Sequence, residues 1–177
     1  IVMIAAIARA ARSGILIKGG LYLEQLAKAD AIAFDKTGTL TANKPLVVDV
    51  KVTNPDFSET TLLRIAAAAD RRSAHPLAKA VVEAAAEDGI TVPEPENYEQ
   101  VQGRGVRATV EGRTVLVGNP ALLRENGVSI AYAVEDRDRT PVHVAVDGRF
   151  CGIIFIADTL RPGAREAIAA LKENGVR

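Results

Sequence analysis

The stretch AIAFDKTGTLTANKP, residues 31–45, joins an apolar run to a single aspartate and then to small hydroxylated residues. A short continuous apolar run bounded by turn residues predicts a strand covered on both faces of a parallel sheet. Asp35 then stands at the carboxyl end of that strand, where open α/β sheets place their ligands. Gly38 permits a tight turn, while Lys36, Thr37 and Thr39 bring a cation, hydroxyls and backbone N–H groups, a phosphate cradle around a carboxylate. Two anions held side by side repel. The arrangement makes sense if the carboxylate attacks phosphorus, as in aspartyl-phosphate chemistry, or if a divalent cation sits between the two. A hydrolase of this layout wants a second carboxylate two residues on, as general acid and then as base for water. Thr37 stands there instead, so an acyl phosphate on Asp35 should be long-lived and suited to coupling with another process. The alternative is that Asp35 simply begins a loop.

Working outward, the N-terminal IVMIAAIARAARSG is apolar to Ala8 and basic at Arg9 and Arg12. It reads equally as a membrane helix leaving the bilayer on its cytoplasmic side or as an amphipathic surface helix. No run of about 20 apolar residues, the length of a helical span, is present. Leu21, Leu23, Leu26 and Ala29 give a short helical face after GILIKGG. On the other side PLVVDVKV is β-rich. Ser58 or Thr60 can cap a helix over TLLRIAAAAD, and a second helix starts at Pro76 and runs to Gly89. From Tyr98 onward several strand-like runs appear, and VEGRTV and VDGRFC place Glu-Gly and Asp-Gly pairs between apolar flanks, a hairpin signal. LRPGAREAIAALKENG predicts an amphipathic helix with Ala167, Ile168 and Leu171 inward. A βα element thus opens the chain, an antiparallel α+β block occupies residues 43–155, and a βα element closes it. The fold class is α/β with an inserted α+β domain.

Composition limits the functions on offer. The 177 residues hold 48% hydrophobic and 25% charged residues, as soluble globular proteins do. Twenty-two basic residues balance twenty-two acidic ones, so no global field favours nucleic acid or an anionic membrane. Aromatics are 4% with no Trp, a poor supply of base-stacking platforms. The single cysteine, Cys151, lies in FCGIIFIAD and reads as a buried, inert thiol.

DKTGTLT, residues 35–41, matches the phosphorylation signature of the P-type ATPases, within the haloacid dehalogenase-like superfamily. The resemblance implies a partial Rossmann-like phosphorylation domain, with Asp35 as the phosphorylated nucleophile. It implies that Lys36, Thr37 and Thr39 hold the transferred phosphoryl group, and that Asp35 and the Thr37 carbonyl contribute to a magnesium site. In the middle block, SAHP (73–76), GRG (103–105) and VGN (117–119) resemble the nucleotide-binding domain of the heavy-metal-transporting subgroup. By that resemblance Asp70, His75, Gly103, Gly105, Gly118 and Asn119 line an ATP site. Two departures are visible: Asp70 stands where the subgroup usually has Glu, and Ala74 where it has Glu beside the histidine. Read without the resemblance, His75 is a helix cap, GRG a turn, and His143 a strand side chain. ADTLRPGAREAI resembles the return into the phosphorylation domain, with Asp158, Arg161 and Pro162 matching Asp-x-x-Arg-Pro; Arg161 offers a planar fork to phosphate.

The resemblance further divides the chain into a membrane-exit helix and connector (1–29), phosphorylation segments (30–42 and 156–177) and a nucleotide-binding domain (43–155). The family's later Thr-Gly-Asp and Gly-Asp-Gly motifs do not occur, so it implies a truncated, monomeric cytoplasmic region of a multi-pass membrane parent. ATP and Mg2+ are the implied cofactors, and a heavy-metal cation, through the membrane domain, the implied partner; nucleic acid is not. The surroundings lean faintly toward zinc, cadmium or cobalt over copper. The competing readings are a nucleotide-binding module without turnover and a soluble phosphatase with an inserted cap.

Overall fold

A computed structural model describes residues 2–130 and 138–177, and Thr37 through its backbone alone. Two compact units emerge: residues 1–40 with 160–177, and residues 41–159.

The larger unit is built on a six-stranded sheet ordered β1-β6-β5-β4-β3-β2. Its strands are β1 (Thr41–Val52), β2 (Asn97–Val101), β3 (Gly105–Val110), β4 (Arg113–Gly118), β5 (Thr140–Val146) and β6 (Arg149–Leu160). Neighbours from β2 through β6 pair antiparallel. The two hairpin signals fall where the sequence places them. Glu111 (φ 52°) with Gly112 (φ 74°) turns β3 into β4, and Asp147 (φ 48°) with Gly148 (φ 75°) turns β5 into β6. Positive φ at both central residues is the type I′ geometry that follows strand twist. The Arg64 guanidinium, paired with both Glu111 carboxylate oxygens, and Asp147, accepting from Arg113 Nε at 2.9 Å and Thr114 N–H at 2.9 Å, hold these turns.

Period-two alternation divides the sheet between two cores. Val106, Ala108 and Val110 of β3, Val115 and Val117 of β4, and Val142, Val144 and Val146 of β5 face one side. There α3 (Glu59–Asp70) and α4 (Pro76–Glu87) cover them. Ala66, Ala67, Ala68 and Ala69 are wholly buried, and their small side chains let α3 lie close to the strands. Leu116 and Ala145 point the other way, against Leu122 and Leu123 of α5 (Pro120–Glu125). Each helix start has a physical reason. The Ser58 hydroxyl accepts from Thr61 N–H at 3.1 Å, and both α4 and α5 begin with proline, where a missing N–H costs nothing.

The smaller unit contains α1 (Val2–Arg12), α2 (Gly20–Leu26) and α6 (Ala164–Glu173). Among the described residues no helix is long and apolar enough to cross a membrane. Two expectations are corrected here. AIAFD is not a strand: residues 31–35 are irregular and Phe34 is 42% exposed. A strand exists only through its hydrogen-bonded neighbours. Among the described residues the backbone bonds at this segment are with Arg177, Ile32 N–H to Arg177 O at 2.8 Å and Arg177 N–H to Asp30 O at 2.9 Å. In α6, Ala167 is exposed; the half-buried stripe is Ala164, Ile168 and Leu171, at the i, i+4, i+7 spacing of one helical face.

Candidate functional site

A cavity of about 270 Å³ opens in the larger unit between the α3–α4 connection and the β2–β3 and β4–α5 turns. Asp70, His75, Gly103, Gly105, Gly118 and Asn119, spread over fifty positions of sequence, all line it. Each arrives there for a local reason.

His75 caps α4: its Nδ1 accepts from Leu77 N–H at 3.2 Å, which leaves the ring proton on Nε2. Its own N–H donates to Ser73 Oγ at 3.3 Å. Cap and cavity wall are therefore the same residue. Asp70 ends α3, is 5% exposed, and burial pushes its carboxyl pKa up to about 7. At neutral pH a large share of it is protonated, so one carboxyl both donates and accepts hydrogen bonds.

Among the glycines, Gly103 takes a left-handed φ of 69° in the turn after β2. Gly105 and Gly118 are partners across β3 and β4, packed so closely that neither could carry a Cβ. Asn119 fastens the assembly. Its Oδ1 accepts from Leu122 N–H at 3.1 Å as the α5 cap, its Nδ2 donates to Gly103 O at 3.1 Å, and its N–H donates to Arg104 O at 2.8 Å. These bonds make Asn119 the bracket that sets the distance from the GRG turn to α5. Ser73, Gln100, Arg104, Thr140 and Val142 also line the cavity. Arg104 and Ser73 carried a signal, lying within the GRG and SAHP motifs; Gln100, Thr140 and Val142 had none.

His143 is 1% exposed in β5, beside Phe150 and opposite Gly118. Among the described residues neither ring nitrogen has a hydrogen-bond partner, and burial pushes its pKa down, with Gly118 backbone opposing and Arg124 adding to the shift. Cys151 is wholly buried and burial pushes its thiol up, an environment for an inert sulfur.

In the smaller unit Asp35 is exposed and leads directly into one wide helical turn, Lys36–Leu40, with Gly38 at φ 79°. Arg161 reaches this turn: its Nη2 donates to Gly38 O at 2.9 Å and its N–H to Leu40 O at 2.8 Å. Arg161 thus braces the turn through its backbone. Thr39 lies in the same turn, and the side chain of Thr37 is outside the described residues. Asp158 is placed elsewhere, its carboxylate accepting from Lys44 N–H at 2.8 Å across β1 and β6. α6 begins after Gly163, so Thr159 belongs to β6 and does not cap a helix.

Magnesium asks for about six oxygens in near-octahedral array. Among the described residues no group of three His, Cys, Asp or Glu side chains converges on a metal-sized site. Asp35 and the Thr37 carbonyl do not make such a site by themselves.

The chain is 41% identical to the zinc-exporting P-type ATPase of Mycobacterium marinum, over 98% of its length and 25% of the relative's. It is equally similar to the manganese-exporting P-type ATPase of Mycobacterium tuberculosis, with the same coverage. It therefore spans about a quarter of the length of the curated relatives it matches. The crystal structure of a zinc-transporting PIB-type ATPase in the E2.Pi state superposes with a TM-score of 0.83 at 36% identity, over 99% of this chain and 29% of that one. The catalytic domain of the CPx-ATPase CopB-B, from a study of conformational changes upon nucleotide binding, superposes at 0.70 with 25% identity, over 97% and 61%. Residues 29–177 match the family described as haloacid dehalogenase-like hydrolase, and the chain belongs to that family.

Proposed function

We propose that this chain is the ATP-binding and phosphorylation region of a heavy-metal cation-exporting P-type ATPase, in which ATP phosphorylates Asp35. The observation that carries the reading is the convergence of six separated motif residues on one cavity of the larger unit. Residues 43–155 serve as the nucleotide-binding domain, and residues 30–42 with 156–177 as phosphorylation segments. Residues 1–29 are the connector toward the membrane part.

The cavity takes the adenosine portion. The His75 ring supplies a flat partner, the Asp70 carboxyl a hydrogen-bonding edge, and the glycine pair an approach free of Cβ atoms. An Asp35 carboxylate oxygen forms a bond to the γ-phosphorus, the bond to the β-phosphate bridging oxygen breaks, and ADP leaves with that electron pair. Lys36 and the backbone N–H groups of the turn stabilise the phosphoryl oxygens, and Arg161 holds the turn in shape. Thr37 in place of a second acid leaves water unactivated, so the acyl phosphate persists long enough to be coupled to cation export. Asp35 and the Thr37 carbonyl would contribute oxygens to a bound magnesium ion, whose charge would offset that of the phosphates.

Acid-stable labelling from γ-labelled ATP in the full-length protein, lost in Asp35→Asn, is the expected result. Equal labelling of both proteins would sink the proposal.

A second reading, a nucleotide-binding module without turnover, is favoured by the lack, among the described residues, of three His, Cys, Asp or Glu side chains grouped to hold a metal. It predicts ATP-induced NMR shifts at His75, Gly103 and Gly105 with no phosphate release.

A further inference from the structure

The geometry points to Arg104 as the residue that receives the phosphate chain of the nucleotide, by exchanging Glu125 for phosphate. This rests on the nucleotide reading of the cavity and adds a residue and a gate to it.

Among the described residues lining the cavity, Arg104 is the one Lys or Arg. Of the other polar side chains there, His75 is taken up by the base and the α4 cap, Ser73, Gln100, Asn119 and Thr140 are uncharged, and Asp70 carries no positive charge at any pH. A nucleotide bound in this cavity therefore has one local guanidinium available to its phosphates, the group whose planar fork suits phosphate oxygens best.

The backbone of Arg104 is fixed. Its N–H donates to Val101 O at 3.0 Å and its carbonyl accepts from Asn119 N–H at 2.8 Å. The side chain is free to change partner at small cost. Its Nη1 is paired with Glu125 Oε1 of α5, but both side chains are well exposed, 37% and 55%. A solvent-screened pair of that kind is weaker than a charge-assisted bond to phosphate inside a concave site. Glu125 thus acts as a placeholder: it keeps the guanidinium at the cavity rim when no anion is there and competes weakly when one arrives.

The test is calorimetric titration of the 177-residue chain with adenosine, AMP, ADP and ATP, without divalent metal. Arg104→Gln should weaken ATP binding roughly tenfold, as loss of one charge-assisted contact does. Adenosine affinity should stay within about twofold, since the nucleoside pocket is untouched. Glu125→Gln, which removes the competitor, should tighten ATP roughly threefold and leave adenosine unchanged. Thermal unfolding of each variant shows whether the fold is kept. Because the two substitutions move affinity in opposite directions, general damage cannot imitate the pattern. Arg104→Gln binding ATP within twofold of the parent chain, or losing adenosine as much as ATP, overturns the assignment while the nucleotide reading stands. Failure of the unsubstituted chain to bind adenosine or ATP overturns both.

Discussion

Gly105 and Gly118 are Cα partners across β3 and β4, and a Cβ on either would collide with the other strand's backbone. On Gly105 it would meet Val117 O at 2.1 Å, and on Gly118 it would meet Arg104 O at 2.2 Å. Gly103 differs: nothing lies within 4 Å of where its Cβ would be and only its φ of 69° calls for glycine, whereas Gly105 combines a φ of 143° with the collision. The three motif glycines therefore do two jobs. One makes a turn, and two let strands approach.

The energetic order of alanine substitutions follows from that division. Gly103→Ala should cost about 1 kcal/mol, the left-handed penalty for an L-residue. Gly105→Ala and Gly118→Ala must move backbone and should cost on the order of 3 kcal/mol or more. Urea unfolding followed by circular dichroism measures all three. Equal costs would show that the strands can separate without loss, contrary to the geometry.

Asp70 makes stability depend on pH in a direction opposite to most carboxylates. Its folded pKa is raised from 3.8 to about 7 by burial, so between those values the native state holds a proton that the unfolded chain has released. The stability of the neutral form is fully present below about pH 4, declines from there to pH 7, and is gone above it, by at most about 4 kcal/mol. Asp70→Asn, which cannot ionise, should be more stable than the parent at pH 8 and nearly equal to it at pH 4. Denaturant midpoints of the two proteins across that range decide the matter; a difference independent of pH would contradict the burial of an ionisable carboxyl.

His75 joins a cap to a cavity wall, and the two roles are separable by chemistry. Asparagine is among the best helix caps, so His75→Asn should keep stability within about 0.5 kcal/mol, while His75→Ala loses about 1 kcal/mol. Neither retains a ring. Both should weaken ATP binding roughly tenfold, at the lower end of what an aromatic face contributes to a bound base. Paired urea melts and calorimetric titrations would show the split, and ATP affinity surviving in His75→Asn would assign the histidine to capping alone.

Local signals told where turns and caps lie more reliably than they told how a segment is held. Glu111-Gly112 and Asp147-Gly148 were readable because a type I′ turn needs positive φ at two adjacent residues and few pairs supply it. Ser58 was readable for the same kind of reason, its hydroxyl meeting a helix N–H three residues on. AIAFD misled because an apolar run records a tendency to be buried, whereas a strand needs partners, and among the described residues the segment's backbone bonds run to Arg177. The structural work of Gly105, Gly118 and Asn119 was also illegible. Glycines that suit a ligand and glycines that suit a neighbouring strand look alike until the register Gly105↔Gly118 is known.

Asn119 both lines the cavity and braces it, and the two roles can be told apart. Its Oδ1 caps α5 through Leu122 N–H while its Nδ2 spans 3.1 Å to Gly103 O. Serine is as good a cap as asparagine but too short, and in the wrong place, to make the second bond. Asn119→Ser should therefore leave global stability within about 1 kcal/mol, since one neutral hydrogen bond is lost and the cap stays. Freed from its bracket, the Gly103 turn should exchange its amide protons faster than in the parent chain, and ATP should bind several-fold more weakly. Hydrogen exchange at Arg104 and Gly105 read beside a titration separates this from a direct contact: weaker binding with unchanged exchange would make Asn119 a ligand group and not a bracket.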